Sequence, residues 1–82
     1  MEEREMARVA IAVLGALVES YCQEGYADPT MYQALGIVER IARDLGDEEL
    51  LNRIVLTKMF AGEVIEKLIA ENQMDEMKGV WS

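Results

Sequence analysis

Eighty-two residues make one domain, and a chain of that size buries only about 60–65% of the surface its unfolded form exposes. Hydrophobic residues at 51% and charged residues at 29% exclude a disordered chain and supply enough apolar material for a compact core. The formal net charge of −8 argues against nucleic acid and against a membrane surface as partners, and favours a basic partner where charge takes part.

The first predicted element is a helix over about residues 3–23. It opens with MEEREMAR, net acidic where a secretory signal needs a basic leader, so none is expected. Residues Val9 to Val18 then read VAIAVLGALV, a run without a charge. Ten helical residues rise about 15 Å against a hydrocarbon core of about 30 Å, so a membrane span is not expected either. On a helical wheel Val9, Ile11, Val13, Leu14, Leu17 and Val18 spread over roughly 200°, about twice the stripe that faces one core. Such a helix needs cover on more than one side, from the rest of its own chain, from a second copy or from a different partner. Ala12, Gly15 and Ala16 lie to one side, where small residues let another helix approach closely, and they are candidate partner-binding residues. Gly15 costs about 0.8–1 kcal/mol of helix propensity relative to alanine, which suggests a packing reason for it. A charge at Val13 or Leu17, in the middle of the apolar face, is expected to unfold the protein.

The second helix is predicted over 29–45. Gly25 suits a left-handed cap for the first helix, Asp28 is a natural N-cap, and Pro29 fits the first helical position, where its missing N–H costs nothing. Met31, Ala34, Leu35, Val38, Ile41, Ala42 and Leu45 form the apolar side, opposite Gln33, Glu39, Arg40, Arg43 and Asp44. Gly46 closes this helix. Asp47, followed by Glu48 and Glu49, opens the next over 48–71, and so short a link implies an antiparallel helical hairpin.

The third helix carries Leu50, Leu51, Ile54, Val55, Ala61, Val64, Ile65, Leu68 and Ile69 on its main face. The pattern breaks at Asn72, so residues 1–72 are expected to form the bundle domain and residues 73–82 a frayed extension or a separately docking tail. Leu56, Met59 and Phe60 lie off the main face among Asn52, Arg53, Glu63, Glu66 and Lys67. Three large apolar residues grouped on a polar face resemble the anchor of a binding patch, and they complete the partner-binding candidates.

Catalytic chemistry has little to build on. There is no histidine, so Cys22, Ser20 and Thr57 lack a histidine base, and the single cysteine can form neither an intrachain disulfide nor a zinc site. Cys22 is expected to be a buried, inert thiol, which fits a reducing, cytoplasmic location. Glu63 and Glu66 stand one turn apart, the spacing of helical metal-binding carboxylates, but on the solvent side and without a second pair directed toward them. Tyr21, Tyr26 and Tyr32 are expected to cover one end of the bundle with their hydroxyls in water.

The expectation is therefore an all-α, three-helix antiparallel bundle completed by dimerisation, with no cofactor and no enzymatic activity. Its function is that of a small acidic protein–protein interaction module (an adaptor, assembly factor or regulatory subunit) with a partner whose identity the sequence does not give. Two alternatives follow from the charge: an acidic inhibitor or antitoxin that mimics nucleic acid, and a helical metal-dependent hydrolase using Glu63 and Glu66.

Overall fold

A computed structural model describes the backbone of residues 2–81 and the side chains of residues 2–72. It consists of three helices, α1 (Glu3–Gln23), α2 (Pro29–Leu45) and α3 (Glu48–Trp81), with no strand among the described residues. The chain folds as an all-α three-helix bundle.

Local chemistry sets the breaks. At the end of α1, Gly25 takes φ 85°; its N–H donates to the Cys22 carbonyl at 2.9 Å, and the Tyr26 N–H reaches back to the Tyr21 carbonyl at 3.0 Å. This paired closure satisfies carbonyls that the helix leaves open, and it requires a left-handed residue that glycine supplies without strain. Asp28 then caps α2, its Oδ1 accepting the Met31 N–H at 2.8 Å, with Pro29 in the first turn. At the other end of α2, Gly46 is left-handed at φ 72°, and Asp47 Oδ1 accepts the Leu50 N–H at 3.1 Å. Two residues thus reverse the chain and lay α3 back along α2.

The core draws Ile11, Val18 and Cys22 from α1, Ala27 from the first link, Leu35 and Ala42 from α2, and Leu50, Ile54, Ala61 and Val64 from α3. The third helix is the common partner: α1 and α2 each pack more extensively on it than on one another. Gly15 is buried where α1 meets α3, and a Cβ there would stand 2.8 Å from Ile54 Cδ1. Among the described residues Thr57 is the one buried polar side chain; its hydroxyl donates to the Arg53 carbonyl at 2.9 Å, which offsets the cost of burying it. Between α2 and α3, Glu39 accepts from Lys58 Nζ at 3.0 Å and lies 3.4 Å from Arg43, while the same ammonium sits 5.3 Å from the centre of the Tyr32 ring.

Three expectations are corrected. The third helix does not stop at 71: its backbone is helical to Trp81, because Asn72 ends the apolar pattern but Gln73–Lys78 holds good helix formers and neither Gly nor Pro. Whether residues 73–82 dock on the bundle concerns side chains outside the described ones. Val13 and Leu17 are not enclosed by the fold; they are 62% and 51% exposed, so a charge at either position would sit in water and leave the bundle intact. Ile41 and Ile69, placed on apolar faces by their spacing, are also exposed, since each lies at the margin of its stripe, beyond the reach of the facing helix.

Candidate functional site

The back of α1 is an apolar face that the fold leaves open. Burying Ile11, Gly15, Val18 and Cys22 fixes the inward direction of the helix, and at 100° per residue the opposite direction falls between Val9 and Leu17. Met6, Val9, Ala10, Val13, Ala16 and Leu17 are all exposed there, and Ser20 is the polar member of the face. The charged residues of α1 lie off this face, Glu5, Arg8 and Glu19 toward α3, Arg4 on the inward side and Glu3 on the far flank, while the capping residues Glu2 and Glu24 continue its line at either end. Arg8 is drawn aside to Asp47, 3.5 Å away. An apolar arc this wide calls for cover on more than one side; here roughly a third of the circumference, from Ala16 round to Ala10, faces outward.

A second apolar shoulder stands on α3. Leu56 and Met59 are 65% and 60% exposed, and neither α1 nor α2 covers them. Phe60 differs: it is half-buried and packs against the core. A groove of about 340 Å³ runs between the two helices, bounded by Glu19, Arg53, Leu56, Thr57 and Phe60. Leu56 therefore stands at the lip of the α1–α3 seam, next to the flank of the α1 face, whereas Met59 points further around α3.

The three small residues of α1 part company. Ala16 is exposed on the outer face, Ala12 is half-buried at the seam, and Gly15 is enclosed against Ile54. The close approach that Gly15 permits is thus used inside the chain, by α3. Sequence reasoning placed all three on one side because they span only about 100° of the wheel, and an arc that narrow still runs from core to surface.

Chemical groups elsewhere are sparse. Glu63 and Glu66 are both exposed, and among the described residues no group of three or more potential metal ligands comes together. Cys22 is a free, buried cysteine whose thiol is pushed up by burial and then by the negative charge of Glu19, which disfavours the reactive thiolate. Tyr26 donates its hydroxyl to Asp28 Oδ2 at 2.9 Å and stacks edge-on against Tyr21 at 6.0 Å. The Met31 N–H, followed by the Tyr26 hydroxyl, holds the Asp28 carboxyl below its ordinary value, and the bond to Asp28 raises Tyr26. These contacts close the α1–α2 link and account for the two tyrosines structurally. Among the described residues, no helix is long and apolar enough to cross a membrane.

No protein family, curated protein or solved structure matches this chain.

Proposed function

We propose that the chain is a small acidic protein–protein interaction module, acting in a reducing cytoplasmic setting through the outer face of α1 and the Leu56–Met59 shoulder of α3. One observation carries this reading: Met6, Val9, Val13 and Leu17 lie side by side, more than half exposed, on a helix whose opposite side already forms the core. A contiguous exposed apolar patch rimmed by polar residues is a mark of a protein–protein contact site. The absence of charge from the face supports recognition by apolar contact, with the acids around it forming the polar rim common to such interfaces.

The test compares wild-type and Leu56→Ser/Met59→Ser proteins as baits in extracts of the native cell, at low and high salt. Both substituted side chains are exposed, so helical content should be kept and stability should move by no more than about 0.5 kcal/mol. The reading expects a specific protein retained by the wild type at both salt concentrations and lost from the variant. Retention that collapses as salt rises would instead indicate charge mimicry, because screening weakens contacts between opposite charges and leaves apolar ones standing.

A further inference from the structure

We draw no further inference here: the strongest candidate, the cavity of about 520 Å³ between the end of α1 and α3, with the buried Cys22 at its floor and Glu63, Lys67 and Glu71 at its rim, sets charges of both signs around a lone cysteine, and nothing in the structure shows what occupies it.

Discussion

Asp28 holds two hydrogen bonds through different oxygens, to the Met31 N–H and to the Tyr26 hydroxyl, and this ties the capping of α2 to the closure of α1. Its carboxyl lies below the ordinary value of 3.8, so its contribution to stability is complete above that pH and is lost as pH falls through the lower folded value. Tyr26 is raised above 10.0; its contribution is present below that pH and is lost as pH rises through the higher folded value. Tyr26→Phe should let the Asp28 carboxyl rise toward its ordinary range while the Met31 N–H still holds part of the shift, and it should flatten the alkaline loss of stability. Carboxyl NMR titration and urea midpoints against pH provide the check, and an unchanged Asp28 titration would refute the linkage. Asp28-Pro29 and Gly46-Asp47 were legible in the sequence because a cap is decided within a few residues. The bond from Lys58 to Glu39, with Tyr32 beside the same ammonium, was not, since it depends on the rotation of α2 against α3, and no local pattern encodes that.

At the scale of the element, α1 shows how far a helical wheel reaches. Its apolar arc, too wide for one core, was visible in the order of residues, but which half of the arc turns inward depends on where α3 approaches. Gly15 settles that. With Ile54 Cδ1 only 2.8 Å from where its Cβ would be, α3 must cross α1 on the Ile11–Gly15–Val18 line, leaving Val13 at the back. Gly15→Val should overpack this crossing and cost about 1–3 kcal/mol, whereas Ala16→Val, one residue on and exposed, should change stability by no more than about 0.5 kcal/mol. Urea denaturation of the two variants, compared at one protein concentration, gives the measurement; equal stabilities would mean that the close crossing does not constrain the fold. The length of α3 was misjudged for a related reason: amphipathic periodicity reports where a helix is packed, and propensity alone can carry it further.

For the molecule as a whole, what the sequence concealed is the division of labour among the helices. The all-α class and the bundle could be read from periodicity and breaks, but α3 serves as the shared support for both other helices, and that arrangement reverses the order in which the chain is made. During synthesis α1 leaves the ribosome first, its wide apolar arc uncovered, and its chief partner is made last. Between Gln23 and Val64 roughly forty residues must be added, about 2–8 s at ordinary elongation rates. Ribosome-bound chains that expose α1 and α2 should therefore be cut readily by protease within α1, and chains that also expose α3 through its core positions should resist. If the shorter chains already resist, α1 finds cover without α3. Otherwise the apolar arc of α1 is, for several seconds of each synthesis, a binding site for whatever chaperone waits at the ribosome exit.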